Sequence, residues 1–197
     1  MKKLGPAFYQ RKNVLTIAKD LLGKIMETRI QGQLTSARIV EVEAYNGEGD
    51  RASHTFGGRR TKRTEPMYAK GGRAYVYLCY GIHHLFNVVT NDEDIPHAVL
   101  IRGAEPLEGI ELMCARRGKR KPDHSLTRGP GNLSKALGIY AALSGTTLEG
   151  DEISLYDDGK KYKATEIGRS PRIGVDYAGE DALLPYRFFV KGNPYVS

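Results

Sequence analysis

Two glutamates within an apolar run are candidates for acid–base chemistry. Glu41 and Glu43 lie in the segment RIVEVEAY, whose apolar members favour burial. A buried carboxylate is costly unless it is paired, hydrogen-bonded or used in a reaction. Side chains alternate along a strand, so both carboxylates should share one face. Glu43 ends the strand beside Tyr45 and is the candidate general base, whereas Glu41 is expected to be structural. The alternative is that both belong to the solvated face of a half-buried strand.

Aromatic and polar residues follow Glu43 closely in the sequence. They are Tyr45, His54, Tyr75, Tyr77, Tyr80 and Asn87. A flat, uncharged or cationic heterocycle would bind to aromatic rings that stack on it and to a polar side chain that distinguishes it from similar rings. With Glu43 as a general base, the set predicts a nucleobase pocket. The alternative for Tyr75 and Tyr77 is a place in the core, and we expect one of them to lie there.

Tyr80 differs from the other tyrosines because it immediately precedes Gly81, at the tip of the predicted hairpin AYVYLCYGIHHLFN. An aromatic ring at a hairpin tip contributes little to a core. It could instead enter DNA and fill the space that an extruded nucleotide leaves.

Positive charge is concentrated in two loops. The chain has 30 Lys and Arg against 23 Asp and Glu, a net charge of +7, which favours a polyanionic partner without proving one. Residues 59–73 include Arg59, Arg60, Lys62, Arg63, Lys70 and Arg73, and residues 116–121 are also basic. Gly129–Asn132 should open a helix whose N-terminus could bind an anion. Phosphate contacts and simple solvation explain these loops about equally well.

The sequence shows no pattern typical of a metal site or of a membrane-spanning segment. The five histidines form no HExxH motif and the two cysteines, Cys79 and Cys114, form no CxxC motif, so we expect no metal and no cofactor. Both thiols are expected to be buried and reduced. No signal peptide or membrane span is predicted, which favours a cytoplasmic protein.

The periodicities predict one mixed domain over residues 1–197, of α+β class and built on antiparallel hairpins. Asn13 should cap a first helix that Gly23 ends. The predicted strands are Lys24–Ile30, Leu34–Tyr45, Ala74–Tyr80, Ile82–Thr90 and His97–Arg102. Further helices are predicted over Leu107–Arg117 and from Gly129 to Tyr140, followed by short strands that include PRIGVDY.

The order of these motifs resembles the alkyladenine (3-methyladenine) DNA glycosylases of the kind first typified in mammals. The motifs are E-A-Y, H-x-x-G-G-R, Y-V-Y-x-x-Y-G, Asn87 and L-I-R-G-A-E-P-L-E-G. The similarity resumes at GPGNLSKALGI, RIGVDYAGE and PYRFFVKGNPYVS. It implies a curved, open-barrel-like antiparallel sheet with flanking helices and a protruding β-hairpin that inserts into DNA.

The resemblance also implies roles for single residues. Glu43 would activate the water that attacks C1′, and Arg102 would help to hold this water and a nearby phosphate. Tyr45 and His54 would sandwich the extruded base, and Tyr77 would pack on its edge. The backbone N–H of His54 would bind the purine edge.

Three more roles concern selectivity and DNA contact. Asn87 would disfavour guanine by crowding its 2-amino group, and Tyr80 would intercalate. Ile82 and Arg59 are the remaining candidates for DNA contact.

The function implied is that of a monofunctional DNA glycosylase in base excision repair. It would flip alkylated or deaminated purines, namely 3-methyladenine, hypoxanthine and ethenoadenine, and hydrolyse their N-glycosidic bond. No lysine is placed for a Schiff base, so strand cleavage is not expected. The expected partner is double-stranded DNA with damaged purines, bound by a monomeric bacterial protein on the nucleoid.

Two alternatives remain open. A non-catalytic nucleic-acid-binding domain would use the tyrosines as a stacking platform, but leaves Glu43 unexplained. A nucleoside hydrolase would leave the hairpin tip and the basic loops without a role.

Overall fold

A nine-stranded antiparallel sheet organises the protein. The structure is a computed structural model that describes residues 1–197. The strands are β1 (Lys2–Lys3), β2 (Ile25–Ile30), β3 (Gln33–Tyr45), β4 (Ala74–Cys79), β5 (His83–Thr90), β6 (His97–Glu108), β7 (Ile153–Asp157), β8 (Ile167–Ser170) and β9 (Arg187–Val190). Seven of them lie in the order β1-β7-β2-β3-β6-β5-β4, while β9 pairs with β3 and β8. The strands at the two ends of this order do not pair, so the sheet is not closed.

Four α-helices flank the sheet. They are α1 (Pro6–Tyr9), α2 (Val14–Leu21), α3 (Ile110–Arg117) and α4 (Pro130–Ala136). The predicted cap of α2 is confirmed, since the Asn13 side chain accepts a hydrogen bond of 3.0 Å from the backbone N–H of Thr16. The α+β prediction is likewise confirmed. None of these helices has both the length and the apolar run that a membrane crossing needs.

The long strand β3 determines where both glutamates lie. Its first half pairs with β2 over Gln33–Arg38, and β9 takes over that edge at Glu41–Glu43. The other edge pairs with β6, with irregular register on either side of Glu41. Around Glu41 and Glu43 the strand is therefore paired on both edges, and both side chains are fully buried. The solvated-face alternative is therefore wrong.

The β4–β5 hairpin projects from the end of the sheet opposite β1. The two strands pair from Ala74–Val88 to Cys79–His83, which confirms the predicted hairpin. Its turn begins one residue earlier than predicted, because Tyr80 adopts a left-handed φ of 49° and precedes Gly81 at 72°. Tyr80 and Ile82 thus lie in the turn and not in the strands.

Three predicted elements were wrong in extent. Strand β6 continues past Arg102 to Glu108, since the register shift opposite Pro106 accommodates a residue without an N–H. Gly109, with φ of 73°, then ends the strand, so the predicted helix begins at Ile110 and not at Leu107. Helix α4 ends at Ala136, before the left-handed Gly138, and excludes Tyr140.

The C-terminal third contains fewer strands than predicted. β7 and β9 form in the predicted segments EISLYDDGKKYKATEI and PYRFFVKGNPYVS, and β8 lies almost entirely between predicted segments. PRIGVDY is not a strand, and its last two residues begin a 3₁₀ helix over Asp176–Leu183. Of the two cysteines, both of which are free, Cys114 is buried as predicted and Cys79 is only half-buried.

Candidate active site

Glu43 is held by three protein groups at the end of β3. Its Oε2 accepts a hydrogen bond of 2.9 Å from the hydroxyl of Tyr45. Its Oε1 accepts one of 2.8 Å from the backbone N–H of Ile173 and lies 3.3 Å from Nη1 of Arg102. Burial raises the pKa of Glu43 above its ordinary value, while the Arg102 charge and the two hydrogen bonds oppose the rise. A carboxylate with a raised pKa is a stronger base, and this arrangement suits proton abstraction from water.

Glu41 differs from Glu43 because more protein donors bind it, and two of them are arginines. Its Oε1 accepts from Nε of Arg102 at 3.1 Å, from Nε of Arg187 at 2.7 Å and from the Ser197 hydroxyl at 2.8 Å. Its Oε2 accepts from the backbone N–H of Ser197 at 2.7 Å. These donors satisfy the hydrogen-bonding capacity of the buried Glu41 carboxylate and hold its side chain in place.

Arg102 links the two glutamates. Its guanidinium reaches Glu41 through Nε and Glu43 through Nη1, and its Nη2 donates to the Ser197 hydroxyl at 3.2 Å. The side chain is buried apart from an edge on a groove. We call this space the central groove. It encloses about 350 Å³ and is lined by, among others, Tyr45, Tyr77, Tyr80, Arg102, Gly129–Asn132 and Tyr177.

A small cavity beside the central groove brings together the residues predicted to bind a base, and we call it the base cavity. Its lining includes Tyr45, His54, Tyr75, Tyr77, Asn87 and Tyr177. Tyr75 is buried against Met67, as one of the two hairpin tyrosines was expected to be, while Tyr77 is only partly buried. The cavity encloses about 30 Å³, so a purine would enter only if some of these rings move apart.

His54 is uncharged in this environment. Burial and the nearby charges of Arg63 and Arg59 lower the pKa of His54 to about 4. Its Nδ1 hydrogen-bonds to the Tyr75 hydroxyl at 2.8 Å. Its ring packs edge to face on the ring of Tyr77, with 4.6 Å between the two ring centres. A neutral imidazole can stack on a cationic purine without charge repulsion.

Asn87 lines the cavity and also binds the backbone. Its Nδ2 donates to the carbonyl of Tyr75 at 3.1 Å, across the β4–β5 hairpin. This contact is the structural role expected of a buried amide. It also fixes the orientation of the side chain beside the pocket.

The three residues predicted to contact DNA are exposed. Tyr80 is 89% exposed and Ile82 is 71% exposed at the hairpin tip, and Arg59 lines a separate small cavity together with His54. The neighbouring Arg60 forms ion pairs with Glu65 and Asp94. Its charge is already neutralised by protein carboxylates.

Residues 172–177 close the site, although no role in it was predicted for any of them from the sequence. Arg172 is buried in an ion pair with Asp50, at 2.5 and 2.8 Å, and its guanidinium lies 4.8 Å from the ring centre of Tyr45. It therefore supports the side of Tyr45 that faces the protein. Ile173 supplies a backbone donor to Glu43, which no side-chain pattern can reveal.

No group of three or more His, Cys, Asp or Glu side chains has the arrangement of a metal site.

The chain is similar to known proteins over nearly its whole length. A family model described as methylpurine-DNA glycosylase (MPG) matches residues 7–194. A protein named "Putative 3-methyladenine DNA glycosylase" from Desulfitobacterium hafniense is 44% identical over 204 residues, which cover 100% of this chain and 99% of the relative. Its namesake from Chlamydia abortus is 46% identical over 188 residues, covering 95% of this chain and 97% of the relative.

Proposed function

The chain belongs to the methylpurine-DNA glycosylase family, and from this premise we propose that it excises damaged purines from double-stranded DNA. The proposed substrates are 3-methyladenine, hypoxanthine and ethenoadenine. The enzyme hydrolyses their N-glycosidic bond as a monomer and as one domain over residues 1–197, and does not cleave the DNA strand.

The observation that carries this proposal is the environment of Glu43. Glycoside cleavage passes through an oxocarbenium-like sugar, and a nearby carboxylate stabilises that charge while it deprotonates the water. Glu43 combines a raised pKa with donors that keep it fixed. It has no exposed surface, so water reaches it only when the contact with Tyr45 or Arg102 loosens. We propose that entry of the substrate loosens this contact.

The base cavity favours a purine that is already a good leaving group. 3-Methyladenine in DNA is cationic and leaves as a neutral base, so one carboxylate suffices. Tyr45 and neutral His54 would stack on its two faces, and Tyr77 would meet its edge. The backbone N–H of His54 would bind the purine edge.

Extrusion of the nucleotide is assigned to the tip of the β4–β5 hairpin. The Tyr80 ring is exposed and has no protein neighbour to bury it. Inserted into the stack, it would replace the contacts that the extruded base gives up. Ile82 would contact the adjacent base pairs, and Arg59 would contact a phosphate.

The test is incubation of a hypoxanthine-containing duplex with the protein, analysed with and without alkali. We expect strand breaks only after alkali, because the product is an intact strand with a base-free site. Breaks without alkali would contradict the monofunctional mechanism. Binding without any base release would favour the non-catalytic nucleic-acid-binding domain, and release of hypoxanthine from free inosine would favour a nucleoside hydrolase.

A further inference from the structure

A second groove lies on the opposite side of the β4–β5 hairpin from the base cavity. We call it the basic groove. It encloses about 490 Å³ and is lined by Ile82–His84, Arg116, Arg117, Gly131, Lys135 and Gly138–Tyr140. None of its lining residues is acidic, and three carry a permanent positive charge. The proposed function does not use it.

The basic groove and the central groove meet at the hairpin. His83 and Gly131 line both of them. The contact is close, because a Cβ added to Gly131 would lie 2.8 Å from Nδ1 of His83. Of these two grooves, the hairpin residues Tyr77 and Tyr80 line only the central groove, whereas Ile82 and His84 line only the basic groove. The hairpin tip divides one continuous surface into two channels.

Two lining groups have unused hydrogen-bonding capacity. The Nδ1 of His84 and the Nε of Arg117 are buried and hydrogen-bond to no protein group. Lys135 is exposed and forms no ion pair. Arg116, by contrast, donates to the carbonyl of Ala136 at 3.2 Å and supports the end of α4. Imidazole, guanidinium and ammonium groups along one channel fit the successive charges of a phosphodiester chain.

We propose that the basic groove holds the backbone of the undamaged DNA strand. The hairpin tip takes the place of the extruded nucleotide in the stack, opposite the base that this nucleotide leaves unpaired on the complementary strand. The strand with the extruded nucleotide must lie on the side of Glu43 and the base cavity, so its complement lies on the other side of the hairpin, where the basic groove is. The inference rests on the proposed function only in that it requires a duplex with one nucleotide extruded.

The first test is the salt dependence of binding to a duplex with a stable abasic-site analogue, which needs no catalysis. Lys135→Ala and Arg117→Ala should each weaken binding several-fold at about 0.1 M salt and reduce the slope of log K against log salt by about 0.9 per lost contact. Lys2→Ala is the matched control, since it removes the same charge from the exposed β1 at the far end of the sheet. Unchanged slopes in both groove variants, with unchanged thermal unfolding, would overturn the proposal.

The second test identifies the strand. Uncharged methylphosphonate linkages are placed near the abasic analogue, either in its own strand or in the complement. Neutralising the complement should weaken binding by the wild type and abolish the difference between wild type and Lys135→Ala. If the difference between wild type and Lys135→Ala disappears only when the damaged strand is neutralised, the basic groove holds the damaged strand and the proposal is wrong. Failure of the proposed function would appear separately, as absence of base release with this binding pattern intact.

Discussion

Glu41 and Glu43 are two residues apart on one strand, yet their surroundings differ in the way that separates a structural from a reactive carboxylate. Both are fully buried and both contact Arg102. Glu41 is additionally bound by Arg187 and twice by Ser197, whereas Glu43 has neutral donors on either side. Burial raises the pKa of Glu43.

Replacement of Glu43 by Gln should preserve binding to damaged DNA and lower base release by about 10²–10⁴-fold. Gln keeps the shape of the side chain but cannot accept the proton from water. Single-turnover kinetics on a hypoxanthine duplex measure the effect. Glu41→Gln is the matched comparison, and a variant at Glu43 with near-normal turnover would move the base role elsewhere.

Tyr45→Phe should shift the acidic limb of the pH–rate profile to higher pH. The Tyr45 hydroxyl lowers the pKa of Glu43, so its removal raises that pKa. As the proposed general base, Glu43 must be deprotonated, so activity should be lost at a higher pH as the solution is acidified. Tyr77→Phe is the control, because it removes a hydroxyl from the same cavity without touching Glu43. If the acidic limb of the pH–rate profile does not move in either variant, a group other than Glu43 determines its position.

Asn87→Ala should increase release of guanine relative to hypoxanthine from mismatched duplexes. Guanine carries a 2-amino group that hypoxanthine and adenine lesions lack, and the Asn87 side chain is fixed beside the pocket by its bond to Tyr75. Release of both bases by wild type and variant gives the ratio. Loss of thermal stability with an unmoved ratio would leave Asn87 as a purely structural residue.

At the scale of the elements, the β4–β5 hairpin combines an exposed ring with an unfavourable backbone. Tyr80 has a φ of 49°, a left-handed conformation that Asn tolerates better than aromatic residues do. Tyr80→Asn should leave thermal stability unchanged or slightly higher while raising the cost of base extrusion by a few kcal/mol. Fluorescence of 2-aminopurine next to the lesion reports extrusion. Tyr80→Phe retains the ring and should behave as wild type, and normal extrusion by Tyr80→Asn would rule out the wedge.

The hairpins were predictable because alternation and turn glycines are local signals. Strand β3, the β4–β5 hairpin and helix α2 formed close to their predicted limits. The continuation of β6 was not predictable, since Pro106 tolerates a strand only where β3 shifts its register. The loop around Arg172 was not predictable either, because its partner Asp50 lies in a distant loop.

At the scale of the whole molecule, the site depends on contacts between segments that are far apart in sequence. Glu41 and Glu43 lie on β3, Arg102 on β6, Arg187 on β9 and Ser197 in the C-terminal segment. The residue types of the pocket could be predicted from short motifs. The burial of Glu41 could not, since two of its partners lie 146 and 156 positions away.

Deletion of Tyr195–Ser197 tests whether this long-range packing supports the chemistry. The deletion removes both Ser197 donors to Glu41 and the hydroxyl that accepts from Arg102. Leaving a buried carboxylate short of donors costs about 1–3 kcal/mol for each lost contact, so the free energy of unfolding should fall by a few kcal/mol. Arg102 loses one of its three side-chain contacts, so base release should fall, whereas binding to an abasic duplex through the hairpin should change little.

Ser197→Ala removes only the hydroxyl and should have a smaller effect in the same direction. If the deletion left both thermal unfolding and base release unchanged, Glu41 and Arg102 would be positioned by the sheet alone.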